Sequence, residues 1–513
     1  MSPLAATGRL TAQVGARTQR ILYGDGSAAE AVAELALTAQ VDRAHLVMLV
    51  EQKLITADAA SRLLRCIDQL AAKRWQPVLS RPAPRGRYLA YEGYLIEQLG
   101  ADIGGVLHSG RSRNDLKATI TSLRLREWVL DFAEQTGRLN AGLLGRARAH
   151  RSVVMPIYTH FQAAMPITYG YYLLGVALAL GRDLDALRAA AAGLDTCPLG
   201  ASAVAGTDLP IDPARTAGLL GFARPVDHAL DAVASRDTAL RLLAAAAGVA
   251  VTLSRLAVDL QLWSTVEFGF VRFPDRLVGG SSAMPQKRNA FLLEHVKAEP
   301  GHVLGAWAAA TAMASAAPFT NSIEVGTEAV AAVWPGLHAA ERSVLLSQAL
   351  VGGARPIPTR MAERADEGLT TATALANRLV HSGVPFRTAH HVVGDAVRRA
   401  VAAGSTDLAA FGPPGWLDDV GVAGLTPDQL VPDQRYGGGP GAFDAPFERA
   451  ITAWQAHRRW HQDRRRVDAQ AAVALADAVA TILPSDGSAD RVTVESAVSG
   501  DEIRHSALRP ADE

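Results

Sequence analysis

A chain of 513 residues is longer than one compact core accommodates, so two or three domains are expected. Its 51 lysines and arginines equal its 51 aspartates and glutamates, which argues against a nucleic-acid or membrane-surface partner held by bulk charge. Aromatic residues make up only 6% while alanine abounds, a composition for closely packed helices rather than a β-sandwich.

The opening Met1-Ser2-Pro3-Leu4 places no basic stretch before an apolar core, so no secretory signal is read and a cytoplasmic setting is expected. Residues 28–70 carry apolar clusters at helical spacing and include Asp42, which on its helix is either solvated or a ligand contact. Cys66 and Cys197 form no paired spacing, which suggests neither a disulfide framework nor a zinc site. Residues 76–87 are rich in proline and arginine and read as a surface connection before helical spacing resumes at 88–99. Arg111-Ser112-Arg113-Asn114 then gathers two guanidinium groups, a hydroxyl and an amide, a natural carboxylate-binding set, although alone such a run also suits a solvated turn.

From residue 120, Leu123, Trp128, Phe132, Leu139 and Leu143 share one helical face. Thr159-His160 follows, with Met165-Pro166 closing the segment before a helix marked by Leu173, Ala177, Leu180, Leu184 and Leu187. His160 is either a satisfied structural imidazole or a group that moves a proton near neutral pH. Ser235-Arg236-Asp237 opens an apolar helical run to residue 263, with Arg236 open to an anion or engaged in a cap with Asp237. The longest apolar part of that run, about residues 242–252, ends at Ser254-Arg255, before it could cross a bilayer, and reads as a buried core helix.

Between this run and another at 290–313 lies the polar segment 279–289, Gly-Gly-Ser-Ser-Ala-Met-Pro-Gln-Lys-Arg-Asn. It offers two hydroxyls, the fixed charge of Lys287, and Asn289 where it can cap the next helix. Such a loop suits an anion whose charge develops beside a hydroxyl that takes a proton; the alternative is a glycine hinge followed by a cap. Residues 360–402 carry helical spacing, and after about residue 466 an alanine-rich helix at 469–483 leads to a mixed stretch expected to be a mobile end. No metal-ligand cluster or nucleotide loop stands out, so no metal or organic cofactor is called for.

Three of these segments together resemble one family. Gly280-Ser281-Ser282-Ala283-Met284-Pro285-Gln286-Lys287-Arg288-Asn289 is similar to the signature loop of the aspartase/fumarase superfamily, and its Pro-Gln-Lys form to the argininosuccinate lyase branch. Leu107-His108-Ser109-Gly110-Arg111-Ser112-Arg113-Asn114-Asp115 and Met155-Pro156-Ile157-Tyr158-Thr159-His160-Phe161-Gln162 resemble two further motifs of that branch, in the family's order. The resemblance covers about residues 40–460. It implies an all-α, three-domain fold with a central long-helix bundle: residues 1–115, 116–363 and 364–465, with 466–513 as an extra tail. It also implies a homotetramer whose active sites are each assembled from three subunits.

The activity so implied is β-elimination from an N-substituted aspartate, giving fumarate and an amine. By resemblance Ser281 is the base, with Lys287 and loop N–H groups stabilising its alkoxide, and Thr159 and His160 complete the catalytic set. Ser112, Arg113, Asn114, Gln162, Arg236, Ser282, Met284 and Asn289 would bind substrate, as would Asp42, which stands where the family has serine. If the segment 316–328 is registered on Glu328-Ala329, Phe319 replaces the family's tyrosine and Gly326 its guanidinium-pairing acid. Losing that carboxylate removes on the order of 2–5 kcal/mol of recognition. The expected substrate is therefore an N-succinyl amino compound other than argininosuccinate; argininosuccinate lyase proper, or a catalytically silent structural relative, are the alternatives.

Overall fold

The computed structural model describes residues 27–83, 86–414, 416 and 425–483, together with 15, 17, 18 and 21. Three buried apolar clusters organise it. The first is built from α1 (Ala28–Glu51), α2 (Ala57–Ala72) and α3 (Arg87–Leu99), whose Leu35, Leu46, Leu63, Leu64 and Ile67 are all but sealed from solvent. Ser27 and Thr56 start α1 and α2 by accepting from the N–H groups of Glu30 and Ala59, satisfying donors that a helix start leaves free.

The central cluster is formed by α4 (Arg113–Ala149), α5 (Tyr169–Ala191), α6 (Asp237–Trp263), α7 (Phe291–Ser315) and α8 (Ala329–Gly353). At 1.5 Å per residue, the 37 residues of α4 run roughly 55 Å. Small side chains let these helices approach closely: a Cβ on Gly336 would lie 2.6 Å from Ala306 Cβ of α7. Helix α6 runs to Trp263 as the spacing expects. Taken whole it is, contrary to the expectation drawn from residues 242–252, long and apolar enough to cross a membrane by length and composition, yet half of its most apolar window is buried inside the chain. Leu242, Leu253, Leu256 and Leu260 of this helix belong to the central core.

The segment around Thr159-His160, to which the spacing assigns no element before the helix that follows Met165-Pro166, is a hairpin. Strands β1 (Val154–Thr159) and β2 (Gln162–Thr168) pair antiparallel, with Thr159 opposite Gln162 and a register shift after Ile157. Tyr158, one residue before the last pair at the tip, has its ring centroid 5.3 Å from that of Phe268. A second small pairing joins β3 (Val271–Arg272) to β4 (Arg355–Pro356), next to the start of the signature segment. The third cluster centres on α9 (Pro358–Glu367), α10 (Ala372–His381) and α11 (Phe386–Ala402) only in part: Leu375, Leu379, Ala389 and Val393 form its core, while Ala365 of α9 packs with Val154 and Val431.

The tail expected from residue 466 is also different. One helix, α12 (Asp444–Ile482), runs through that point without a break. Its first part packs on the central bundle, where Trp454 Nε1 donates to Gly137 O at 3.0 Å, and its last turns bury Leu475, Ala478 and Val479 in the first cluster. The mobile end expected beyond residue 483 lies outside the described residues.

Candidate active site

The signature segment is a closed loop. Gly279 and Asn289 exchange both backbone hydrogen bonds at 2.8 Å, so the residues between them stand out from a two-residue clasp. Gly279 is needed there, because a Cβ would meet the Phe291 ring at 3.1 Å. Within the loop, Ser281 Oγ accepts from the N–H groups of Met284, at 3.1 Å, and Ala283, at 3.3 Å. Two backbone donors therefore already point at the oxygen that would carry negative charge, as an oxyanion requires. Lys287 N–H closes a turn onto Met284 O, leaving its exposed side chain without a partner among the described residues. Ser282 and Met284 are also exposed. Arg288 is engaged elsewhere, bonded to Asp275 and to Phe273 O. Asn289 does not cap α7: its amide donates to Gly280 O at 3.3 Å, and Ala290 occupies the cap position without a side-chain bond.

The second motif forms the start of α4. Ser112 is the N-cap, its hydroxyl accepting from Asn114 N–H, while Asp115 accepts from Ser112 N–H at 2.9 Å. The other Asp115 oxygen takes the N–H groups of Gly200 and Ser202, tying the 197–212 loop to the motif. Asp115 was legible as the last residue of a Ser-x-x-Asp helix start, three after the capping Ser112, but only the fold shows it reaching the distant loop. Asn114 bridges further, donating to Ala203 O at 3.1 Å and accepting from Asn321 at 3.0 Å. Arg113 is exposed.

Arg111 and Asp42 are not ligand-facing, which corrects two expectations. Asp42 is neither solvated nor open to substrate: it is fully buried, 2.6 Å from Arg111 Nη1, and accepts Tyr91 OH at 2.8 Å. Arg111 also donates to Tyr88 OH at 3.1 Å. Burial, the largest influence, opposes the Arg111 charge, but Asp42 and Tyr88 together outweigh it and hold the guanidinium protonated above its ordinary range. Of the two guanidinium groups read as a carboxylate clamp, Arg111 is thus committed to Asp42 and Tyr88, while Arg113 is exposed.

Thr159, His160 and Gln162 are exposed at the hairpin tip, where His160 (φ 53°) and Phe161 (φ 60°) both occupy the left-handed region. These are the two central residues of a tight hairpin turn, a conformation that usually selects glycine or asparagine. Arg236 precedes α6 and does not pair with Asp237, which instead bonds Ser235 Oγ and Arg241. Among the described residues its only bond is to Ser235 O, at 2.6 Å, and its buried Nε has no partner; burial depresses its pKa to about 10. A guanidinium so placed, with no carboxylate beside it among the described residues, suits an incoming anion. The 316–328 segment ends in a π-helical turn, Glu324–Glu328, an uncommon geometry that often marks functional positions. A Cβ on Gly326 would meet Asn321 Oδ1 at 2.7 Å, while Phe319 is exposed.

Within one chain, then, the fold joins Asn114 to the 200–203 loop and to Asn321. Among the described residues, no hydrogen bond links Ser281, Lys287 or the hairpin tip to Ser112 or Asn114.

Helical bundle, polarised serine loop and exposed cation-bearing motifs together define a fumarate-forming carbon–nitrogen lyase, and comparison with known proteins agrees. A family model described as lyase matches residues 23–332, and one described as argininosuccinate lyase C-terminal matches 369–411. The argininosuccinate lyase of Methanoculleus marisnigri is 40% identical over 381 residues, covering 72% of this chain and 75% of that protein. The crystal structure of EDDS lyase in complex with formate superposes with a TM-score of 0.80 at 28% identity, covering 93% of this chain and 97% of the other; a variant of EDDS lyase with bound fumarate gives 0.79, also at 28%, covering 94% and 99%. The chain belongs to the argininosuccinate lyase family of the aspartase/fumarase superfamily.

Proposed function

We propose that this protein catalyses the reversible β-elimination of an N-substituted aspartate to fumarate and an amine other than arginine. The observation that carries the reading is Ser281 Oγ receiving two backbone N–H groups in an otherwise exposed loop. The hydrogen next to the β-carboxylate is weakly acidic, so its removal needs a base and a place for charge on the resulting aci-carboxylate. Ser281 is the base; the N–H pair and Lys287 stabilise its alkoxide, and Lys287 and Asn289 hold the carboxylate, with Ser282 and Met284 beside it. Ser112, Arg113, Asn114, Gln162 and Arg236 grip the succinyl part, and Thr159 and His160 stand nearest the departing nitrogen.

These groups work in a homotetramer, each site drawing on three subunits. Two features support this: the hairpin tip, Arg113 and loop residues 282–288 are exposed on the single chain, and the long helices expose Val251, Val258, Leu304, Trp307 and Leu345. Phe319 and Gly326 favour a leaving group without a guanidinium, and the likeness to EDDS lyase shows that such a fold is not confined to argininosuccinate. The 40% identity to an argininosuccinate lyase favours the second reading, that arginine is the leaving group. Incubation with fumarate and a panel of amines, followed by mass spectrometry, separates the two. Adducts with amines but not arginine support the proposal, argininosuccinate alone supports the second reading, and no adduct at all refutes both.

A further inference from the structure

Outside the segments assigned to catalysis, three guanidinium groups converge on one cavity of about 280 Å³, lined by Arg126 of α4, Arg188 of α5, Asp195, and Trp460 and Arg464 of α12. Arg126 is 7% exposed. Its Nε lies 3.3 Å from Asp468 Oδ1 and its Nη2 donates to Leu220 O at 2.7 Å, but its buried Nη1 has no partner. Arg464 donates to Gly221 O at 2.7 Å and reaches Asp195 at 3.4 Å and Asp468 at 3.7 Å. Arg188 makes no hydrogen bond or ion pair among the described residues. Three cations thus face two carboxylates, one positive charge in excess, around a space large enough for a small ion and some water.

We propose that this cavity is a second anion-binding site, distinct from the Ser281 loop, that takes a small oxyanion and thereby ties α4, α5 and α12 together. The unpartnered Nη1 is the central argument. A buried charged donor without an acceptor is costly, and an oxyanion answers it with the short, charge-assisted bonds that a planar guanidinium fork makes best. Burial also holds Arg126 down to about 10, so the surrounding carboxylates do not fully balance its charge. The opposing consideration is that α5 ends at Ala191, beside the cavity, where the last carbonyls attract cations and repel anions. If the arginines only serve that helix end, no anion is needed.

Inorganic phosphate is the probe. Thermal unfolding of the full chain is followed as phosphate replaces chloride at constant ionic strength, with saturating fumarate present so that any catalytic anion site is filled. The midpoint is expected to climb along a saturating curve, as a ligand selective for the native state requires. Arg188→Gln, an exposed change that leaves the chloride midpoint nearly unaltered, should weaken the apparent phosphate affinity about tenfold or more. Arg464→Lys, which keeps the charge but loses the fork, should weaken it as well. A midpoint indifferent to phosphate, or a rise undiminished in Arg188→Gln, overturns the site.

Discussion

As the proposed base, Ser281 would be a weak one made useful by its neighbours. Its hydroxyl is held by Met284 and Ala283 N–H groups that would bond an alkoxide more strongly than a neutral oxygen, so the loop favours the state the reaction needs. Ser281→Ala should lower turnover by roughly 10²- to 10⁴-fold while fumarate binding, read by equilibrium titration, changes little. Undiminished fumarate release by the variant would remove Ser281 from the mechanism. In the sequence the glycine-opened, lysine-bearing run equally suits a hinge and cap, and it is the family resemblance that singles out Ser281. The pairing of Asp42 was not legible, since periodicity places it on a helix without saying which partner waits across the interface; only the fold brings Arg111 and Tyr91 to it.

His45, in the same buried region, sets a pH dependence. Its Nε2 lies 2.9 Å from Ser109 O, its Nδ1 is buried without a partner, and burial first and Arg111 second hold its pKa well below the ordinary 6.5. The folded protein therefore keeps this ring neutral while the unfolded chain takes up a proton below about pH 6.5. Stability from this group is complete above that pH and falls on acidification, by up to about 1.4 kcal/mol per pH unit. Chemical denaturation between pH 7 and 5 should show a shallower decline in His45→Gln, whose amide can still donate to Ser109 O but does not titrate.

At the scale of elements, the hairpin and the last helix depart most from the sequence reading, for different reasons. The hairpin lacks the Asn-Gly or Gly-Gly signal that announces such turns; His160 and Phe161 occupy its two left-handed positions at a cost of about 1–2 kcal/mol each. Phe161 is 77% exposed, so packing against the described residues offsets little of that strain. Phe161→Gly should stabilise an isolated chain by roughly 1 kcal/mol in denaturant unfolding and lower catalytic rate if the ring is used by a neighbouring subunit. A rise in stability with unchanged turnover would make Phe161 a tolerated irregularity. Helix α12 was divided at residue 466 because the family likeness fades there, but likeness does not determine where packing ends. Asp468, beyond that point, faces buried Arg126, and Leu475 enters the first core. Asp468→Asn should cost about 1–3 kcal/mol by stripping Arg126 of its nearest carboxylate, measured as a lower denaturation midpoint at unchanged slope.

For the whole molecule, the proposed sharing of each site among subunits has a sharp consequence. The helical class follows from composition and spacing and the long bundle from the family resemblance, but where the motifs would meet in the proposed homotetramer depends on symmetry, which one chain's sequence does not encode as a local pattern. If Ser281 of one subunit works with His160 of another, a Ser281→Ala chain and a His160→Asn chain spoil different contributions to each site. Neither variant alone should turn over. After denaturing and refolding an equimolar mixture, random assembly should place intact Ser281 and intact His160 together in about one quarter of the sites. Activity approaching about a quarter of the wild-type rate, appearing only in the refolded mixture, is the expected result. Were both residues drawn from the same chain, every site in the mixture would carry one defect and the mixture would stay as inactive as its components.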